Sequence, residues 1–253
     1  MAITTVLFDL DDTLHDDSAV YRNAASRVAR DIAASCGIDA HALVDSYIAQ
    51  ADRFWRDLDT EHLSLRMTET RYALWTSALN GVGIDDPAVA QRASETYVRY
   101  RNDALVPFPG AIALLVNLRA AGMRLGIVTN GFAETHHEKI ERLGLTKLVD
   151  AVFVADEVGM LKPDPGIFFH ACERLGSRPA ETVMVGDRFF RDVTGAHEAG
   201  LKTVYIAVHD EVRPRGAPVP DAVVRSVAEL ASVLEAMIER PGSLSERTET
   251  AAP

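Results

Sequence analysis

Two patterns of apolar residues divide the chain. Between about residues 18 and 101, apolar side chains recur at helical spacing, as in Val20, Ala24, Val28 and Ile32, and this spacing predicts amphipathic helices. From Pro109 onward, helical stretches alternate with short apolar runs. That alternation is typical of βαβ units on a parallel sheet that is covered by helices on both faces. The chain is therefore predicted to be an α/β protein with an all-helical segment.

The alternating region predicts strands at 125–128, 151–154, 182–185 and 203–206, and helices at 112–121, 136–143, 166–175 and 193–199. The opening run 4–8 has the same buried-strand character but finds no partner strand in the helical segment. We expect it to pair with the later strands. The helical segment is then an insertion between the first strand and the rest of the sheet.

The domain limits follow from this arrangement. Residues 1–14 and 106–240 are expected to form the α/β core, and residues 15–105 the helical insertion. The connections run from Asp12 to Ser18 on the way out and from Asp103 to Gly110, with two prolines, on the way back. Residues 241–253 are polar with small residues at the end, which predicts a disordered tail.

Composition excludes several classes of protein. The 253 residues are 47% hydrophobic, enough for a sizeable core, and 26 Lys and Arg against 37 Asp and Glu give a net charge of −11. That charge disfavours a nucleic acid polymer or an anionic membrane as the main partner. Two cysteines are too few for a disulfide framework, and no apolar run approaches the roughly 18 residues of a membrane span. We expect a cytoplasmic protein.

Polar side chains follow four of the predicted strands or the loops after them. In an open parallel sheet the ligand lies beyond the carboxyl ends of the strands, so residues there share one crevice. The residues at these ends are Asp9, Asp11, Thr129, Asn130, Gly131, Lys162, Gly186, Asp187 and Asp192. Carboxylates crowded this closely repel one another, and a hard divalent cation such as Mg²⁺ satisfies them. The sequence therefore predicts a metal and phosphate site at this edge.

The stretches "DLDDTL", "IVTNG", "LKPDPGIF" and "VGDRFFRD" occur in this order along the chain. They resemble the four motifs of the haloacid dehalogenase superfamily, in its phosphatase-like branch. The resemblance covers about residues 3 to 207. It implies a Rossmann-like three-layer core and a helical cap of the C1 type, inserted between the first and second motifs, where this chain has its helical segment.

Residue roles carry over from the resemblance by matched position. Asp9 is expected to be the nucleophile that forms an aspartyl-phosphate, and Asp11 the general acid that protonates the leaving alcohol and later activates water. Lys162 is expected to offset charge on the transferring group. The resemblance places the phosphate at Thr129, Asn130, Gly131 and Lys162. It places Mg²⁺ at Asp9, Asp187 and the backbone carbonyl of Asp11, with Asp192 as a further ligand or a partner of the ligands.

The resemblance implies a phosphatase that acts on a small phosphorylated metabolite of the nucleotide or sugar phosphate class, as a monomer or homodimer. A sugar phosphomutase with the same motifs stays open. A 2-haloacid dehalogenase is disfavoured because Asp11 supplies a proton that a leaving halide does not need. A non-catalytic, phospho-binding regulator is the alternative outside enzymes.

Other polar and aromatic residues are expected in structural roles. Asp12 should fix the turn after the first strand, and Asp164, followed by Pro165, should cap a helix. Trp55 and Trp75 are expected in the core of the insertion. His136 and His137 are expected at solvated positions, and Arg188 and Arg191 are candidates to reach a substrate anion.

Overall fold

The computed structural model describes residues 2–208, 211 and 213–239, so the predicted tail at 241–253 and the end of the core at 240 lie outside the described residues. Six parallel strands form one sheet in the order β3-β2-β1-β4-β5-β6. Their bounds are β1 Thr5–Phe8, β2 Arg124–Thr129, β3 Ala151–Val154, β4 Thr182–Gly186, β5 Lys202–Ile206 and β6 Ala222–Val224. The predicted α/β fold with a Rossmann-like parallel sheet is confirmed.

The opening strand lies in the middle of the sheet and buries side chains on both faces. Val6 and Phe8 pack into one hydrophobic cluster and Leu7 into another, and all three are fully buried. Alternate residues of a strand point to opposite faces, and burial of each such side chain contributes about 1.5–3 kcal/mol. This two-sided burial explains why β1 has a continuous apolar run and fixes the residues that follow it to a rigid support.

Helices cover both faces of the sheet. The helices after the insertion are α5 Ala111–Ala120, α6 Ala133–Arg142, α7 Ala155–Val158, α8 Pro165–Arg174, α9 Gly195–Glu198 and α10 Val227–Glu239. The cluster around Val6 takes apolar residues from α5, α6 and α10, whereas the cluster around Leu7 takes them from α8 and α9. Asp164 accepts a hydrogen bond from the Gly166 amide at 2.8 Å and caps α8, as predicted.

Two parts of the sheet domain differ from the sequence expectation. Strand β6 was not predicted, because its three residues are mostly half-buried or exposed and form no apolar run. The helix predicted at 193–199 instead begins with a π-helical turn at Phe189–Thr194 and continues as α9. This turn brings Asp192 back toward the end of β4, with the Asp192 amide donating to the Arg188 carbonyl at 2.8 Å.

The segment between β1 and α5 is helical, as its spacing predicts. It contains α1 Asp17–Cys36, α2 Ala40–Arg56, α3 Met67–Asn80 and α4 Pro87–Asp103, with a short 3₁₀ helix at Glu61–Ser64. These helices have a hydrophobic cluster of their own, in which the Trp75 ring stacks on Tyr47 at a centroid distance of 4.1 Å. The core position of Trp75 is confirmed. The limits 15 and 105 and the C1 class of this cap stay predictions.

The register of the sheet brings several strand ends to one edge. Phe8 pairs with Ile127 of β2 and with Val185 of β4, so the residues after β1, β2 and β4 emerge side by side. The Asp9 amide continues the ladder by donating to the Val185 carbonyl at 2.8 Å. Among the described residues, no helix is both long and apolar enough to cross a membrane.

Candidate active site

A buried lysine lies between two buried carboxylates at the end of β1. The Nζ of Lys162 donates to Asp9 Oδ1 and to Asp192 Oδ1, both at 2.6 Å. All three side chains are buried. Burial lowers the pKa of Lys162, but the Asp192 and Asp9 carboxylates outweigh it and hold that pKa above its ordinary value. Lys162 is therefore an ammonium that joins the first motif to the last.

A third carboxylate completes an acidic cluster. One carboxylate oxygen from each of Asp9, Asp187 and Asp192 lies within 4.8 Å of the others, and all three residues are buried. Burial raises the pKa of Asp9 to about 7, with Lys162 opposing the shift and Asp192 adding to it. Burial, then Asp9 and Asp192, raise the pKa of Asp187. The guanidinium Nε of Arg188 lies 3.1 Å from Asp187 Oδ2.

The donor set of this cluster fits a hard cation. The three carboxylates and the neighbouring Asp12, which lies 3.8 Å from Arg188, face two cations, Lys162 and the half-exposed Arg188, so negative charge is in excess in a buried setting. Mutual repulsion of this kind raises carboxylate pKa values unless a cation joins them. Oxygen donors at this spacing are the ligands that Mg²⁺ takes in proteins. Asp9, Asp187 and Asp192 are thus brought together as candidate ligands, and the role of the Asp11 backbone carbonyl stays a prediction.

The residues after β2 position the lysine. The Asn130 side chain donates to the Lys162 carbonyl at 2.7 Å and accepts from the Lys162 amide at 2.8 Å. This pair of bonds ties the end of β2 to the loop that carries Lys162. Thr129, Asn130 and Lys162 line the same cavity as Asp9. The structure therefore brings together these predicted phosphate contacts, and their binding role stays a prediction.

Two glycines of the predicted motifs leave room for functional side chains. A Cβ at Gly186 would lie 2.3 Å from Asp192 Cγ, and one at Gly131 would lie 2.0 Å from Cε1 of the His136 ring. No real side chain tolerates contacts this close. Gly186 thus allows Asp192 to approach β4, and Gly131 allows the His136 ring to pack against the loop after β2.

The second aspartate of the first motif lies in a different group of charges. The Nζ of Lys139 donates to Asp11 Oδ1 at 2.5 Å and to Asp17 Oδ1 at 2.9 Å, and the Nε2 of His15 lies 2.8 Å from Asp11 Oδ1. The Nε2 of His136 lies 3.4 Å from Asp11 Oδ2. Burial raises the pKa of Asp11, but Lys139 and the two histidines outweigh it and hold that pKa well below its usual range.

Sequence reasoning misplaced His136 and missed Lys139. The solvated position expected for His136 is wrong, since both side chains are buried, whereas His137 is half exposed, as expected. A signal for this was present in α6 and its C-cap, where residues 136, 139, 140 and 143 have the spacing of one helical face. Ile140 and Leu143 of that face are buried in the core. A histidine and a lysine on an otherwise apolar face should have marked a buried polar site.

Asp12 fixes the chain after β1, as predicted. Its backbone has a left-handed φ of 59°, and its buried carboxylate accepts from the Ser18 amide at 2.8 Å and from the Ser18 hydroxyl at 2.6 Å. Short polar side chains adopt this backbone conformation more readily than others. Asp9 and Asp11 line the cavity, whereas Asp12, through its bonds to Ser18, fixes the connection from β1 to the first helix of the insertion.

A cavity of about 660 Å³ lies between the sheet edge and the helical insertion. The expected core position is wrong for Trp55, which is only partly buried and lines this cavity. Trp55 lies in the last turn of α2, beyond the cluster around Trp75, with its ring centroid 6.0 Å from that of Phe132. The guanidinium of Arg191 donates to the Trp55 carbonyl at 2.6 Å and so joins the two parts of the chain.

Comparisons with known proteins agree with this geometry. The model of the haloacid dehalogenase-like hydrolases matches residues 3–200. Over 236 residues the chain is 33% identical to the glyceraldehyde 3-phosphate phosphatase of Methanopyrus kandleri, covering 92% of this chain and 97% of the relative. It is 30% identical over 241 residues to the N-acylneuraminate-9-phosphatase of Mus musculus, covering 93% and 95%. The magnesium-bound HAD-hydrolase YfnB of Bacillus subtilis shares the fold, with a TM-score of 0.74, 24% identity and coverage of 93% and 100%.

Proposed function

The chain belongs to the haloacid dehalogenase-like hydrolase family, and we propose that it releases phosphate from a small phosphate monoester in a Mg²⁺-dependent reaction that passes through a phosphorylated Asp9. The single observation that carries the proposal is the cluster at the sheet edge. Asp9, Asp187 and Asp192 lie within 4.8 Å of one another, and Lys162 contacts two of them. A nucleophile, a cation site and a fixed ammonium thus meet at one wall of the cavity.

In the first step Asp9 attacks phosphorus. A bond forms between an Asp9 carboxylate oxygen and phosphorus, the bond from phosphorus to the ester oxygen breaks, and its electron pair stays on the leaving oxygen. Asp11 gives its proton to that oxygen. Because Lys139 holds Asp11 ionised in the arrangement described above, Asp11 has to leave Lys139 and take up a proton before it acts as the acid.

In the second step water attacks the phosphorylated Asp9. Asp11, now a carboxylate, takes a proton from the water, whose oxygen bonds to phosphorus while the bond between Asp9 and phosphorus breaks. Lys162 offsets the negative charge on Asp9 and on the transferring group in both steps. Asp9, Asp187 and Asp192 would hold Mg²⁺, which would supply positive charge that neutralises the phosphoryl oxygens.

The relatives support a small phosphorylated metabolite as the substrate. Their names specify glyceraldehyde 3-phosphate, N-acylneuraminate 9-phosphate and pyrimidine nucleotides. These compounds share the phosphate ester and differ in the rest of the molecule. The sheet edge meets only the phosphoryl group, whereas the insertion supplies the other wall of the cavity, so substrate choice belongs to the insertion.

Three alternatives predict other products. A 2-haloacid dehalogenase would release halide, and Asp11 has no role in that reaction. A sugar phosphomutase would convert one sugar phosphate into its isomer and release phosphate only slowly. A non-catalytic regulator would bind a phosphate compound or become phosphorylated without turnover.

The test measures phosphate release from nucleoside monophosphates, sugar phosphates and phosphorylated sugar acids, with Mg²⁺ or with a chelator. Halide release from 2-chloropropionate and isomerisation of sugar phosphates are measured alongside. We expect Mg²⁺-dependent phosphate release, a labelled phosphoryl group on Asp9 after rapid quenching, and loss of both in Asp9→Asn. Halide release, fast isomerisation, or label on Asp9 without turnover would each replace the phosphatase proposal with the corresponding alternative.

A further inference from the structure

Arg71 of α3 is a largely buried cation that has no carboxylate of a described residue within ion-pair distance, although its charge interacts at longer range with that of the exposed Glu134. Its residue is only 6% exposed, it lines the cavity opposite the sheet edge, and its guanidinium makes no hydrogen bond or ion pair to any described residue. Its guanidinium carbon lies 5.9 Å from the centroid of the Tyr97 ring. Burial, and then the neighbouring Arg101, lower the pKa of Arg71. A buried charge that is left unpaired costs free energy, so this arrangement needs an explanation.

The charges around Arg71 do not balance. Lys139, Arg101 and Arg71 give three positive charges, and Asp11 and Asp17 give two negative charges, which leaves one positive charge over. Arg101 and Lys139 both contact Asp17, at 3.8 and 2.9 Å, so the surplus falls on Arg71. We call these five side chains the basic end of the cavity.

Acidic groups nearby are committed elsewhere. The exposed Glu134 carboxylate accepts hydrogen bonds from the Met67 and Thr68 amides at the start of α3, and it interacts with Arg71 only at longer range than an ion pair. Asp52, which also lines the cavity, accepts from the Tyr21 hydroxyl at 2.9 Å. In the described part of the chain, therefore, no carboxylate pairs with Arg71 on the side that faces the cavity, and an anion bound in the cavity would pair with it.

We propose that Arg71 binds a second anionic group of the substrate, so that the enzyme selects phosphate monoesters that carry a carboxylate or a second phosphate. The inference rests on the proposed function, because it assumes that the phosphoryl group occupies the acidic end. A guanidinium offers a planar pair of donors that matches the two oxygens of a carboxylate or phosphate. A cavity of about 660 Å³ has room for a ligand much larger than a phosphoryl group.

The test uses pairs of compounds that differ only in the second anion. The carboxylate arm compares 6-phosphogluconate with sorbitol 6-phosphate, and the phosphate arm compares fructose 1,6-bisphosphate with fructose 6-phosphate. We expect the wild-type enzyme to favour the doubly anionic member of at least one pair by about 30-fold in kcat/KM, the range for a buried charge pair. In Arg71→Met this preference should disappear, mainly through KM, while the singly anionic compounds are hydrolysed as before.

Control variants separate recognition from folding. Arg71→Lys keeps the charge without the paired donors and should retain part of the preference, and Arg92→Met removes an exposed arginine outside the cavity lining. Equal loss for both members of each pair, or no preference in the wild-type enzyme, would overturn the inference. Absence of phosphate release from every compound would instead overturn the proposed function.

Thermal unfolding without substrate supplies an independent measurement. If Arg71 binds a substrate anion and does not stabilise the fold, Arg71→Met removes a buried charge that has no ion-pair partner. The Tm should then rise by about 2–4 °C, the shift expected when the free energy of unfolding of a chain of this size rises by about 1 kcal/mol. A structural arginine would give the opposite sign. A lower Tm in Arg71→Met would therefore count against the inference whatever the kinetics show.

Discussion

The two ends of the cavity are opposite in charge and incomplete in opposite ways. At the acidic end, formed by Asp9, Asp187, Asp192, Lys162 and Arg188, the three carboxylates and the neighbouring Asp12 face two cations. At the basic end, three cations face two carboxylates. The acidic end therefore has an excess of negative charge and the basic end an excess of positive charge. The acidic end suits an added cation and a phosphoryl group, whereas the basic end suits an anion on the part of the substrate that does not react.

The ends also differ in how the chain builds them. Most of the acidic end follows strands whose positions are fixed by two-sided burial in the sheet, and a loop tied to Asn130 supplies Lys162. The basic end is assembled from helices α1, α3, α4 and α6 and the turn after β1. Helices that belong to different parts of the chain can shift with less disruption than strands inside a sheet. We therefore expect attack on phosphorus to depend on the acidic end and substrate selection on Arg71 at the basic end, with Asp11 as the residue of the basic end that transfers protons in the reaction.

Removal of the lysine should give the largest effect. In Lys162→Met the Asp9 and Asp192 carboxylates lose their ammonium, so we expect the free energy of unfolding to fall by about 3–5 kcal/mol. Phosphate release should fall by about 10³-fold, because the transferring group loses a fixed positive charge. Chemical denaturation and steady-state kinetics measure the two effects.

The exposed Lys147 provides the matched control, and Lys147→Met should change neither quantity. Activity in Lys162→Met close to that of the wild-type enzyme would show that the acidic end works without this cation. The expectation that the reaction depends on the charges of the acidic end would then be wrong.

Asp11 belongs to the basic end but is proposed to transfer protons in the reaction at Asp9, and its variant tests that role. In Asp11→Asn we expect kcat to fall by about 100-fold for alkyl phosphates, the lower range for loss of a general acid. The loss in the rate of Asp9 phosphorylation should be much smaller for p-nitrophenyl phosphate, because its leaving oxygen needs no proton, whereas hydrolysis of the phosphorylated Asp9 is common to both compounds. The ratio of the two single-turnover rates of Asp9 phosphorylation is the measurement, and an equal loss for both compounds would refute the acid role.

Asp12→Asn is the control for this variant. Asparagine tolerates the left-handed backbone at this position and can still accept from the Ser18 amide. We expect it to keep the activity of the wild-type enzyme and the same ratio between the two compounds.

The acidic end was accessible to sequence reasoning and the basic end was not. Asp9 and Asp187 directly follow buried apolar runs, and parallel strands place such residues at a common edge whatever the packing details are. Arg71, Arg101 and Lys139 lie on helices, where a charged residue usually faces solvent. Their burial depends on which helices meet across the cavity, and spacing within one helix does not determine that. Only α6, with its face of 136, 139, 140 and 143, gave a local signal.

Strand β6 and Trp55 show the same limit. β6 has too few buried residues to form a recognisable apolar pattern, and it forms because its backbone pairs with the edge strand β5. Trp55 and Trp75 have equivalent sequence character, yet one lines the cavity and the other lies in the core of the insertion. Their difference arises from position along α2 and α3 relative to the sheet, which is a property of the assembled fold.

Stability should depend on pH at the acidic end and respond there to Mg²⁺. Burial raises the pKa of Asp9 to about 7 from an ordinary value of 3.8, so in the metal-free protein Asp9 contributes stability at low pH. That contribution falls as the pH rises from about 4 to 7, because the unfolded state releases the proton first. Mg²⁺ favours the ionised form, so the rise in Tm on adding Mg²⁺ should grow between pH 5 and pH 8.

The measurement is the difference in Tm between Mg²⁺ and chelator at each pH, which cancels titrations elsewhere in the protein. Asp9→Asn should reduce the dependence and leave the part that comes from the raised pKa of Asp187, whereas Arg71→Met should leave all of it in place because the basic end takes no cation. A Tm difference that is constant with pH in the wild-type protein would contradict the assignment of Asp9 to the metal.

The smallest effect is expected from Glu134, which holds the helix that carries Arg71. The Glu134 carboxylate accepts from the Met67 amide at 3.0 Å and from the Thr68 amide at 3.2 Å, and so caps α3 from α6. A carboxylate at a helix N-terminus contributes about 0.3–1 kcal/mol. Glu134→Gln keeps one acceptor and loses the charge, so KM for doubly anionic substrates should rise about two- to fivefold with kcat unchanged.

Singly anionic substrates should be hydrolysed by Glu134→Gln as by the wild-type enzyme. The control is Glu141→Gln, at an exposed position on the same helix, which should leave the kinetics of every substrate unchanged. A fall in kcat for both doubly and singly anionic substrates would mean that α3 also positions the reacting groups. The assignment of substrate selection, and not of catalysis, to Arg71 and its helix would then be wrong.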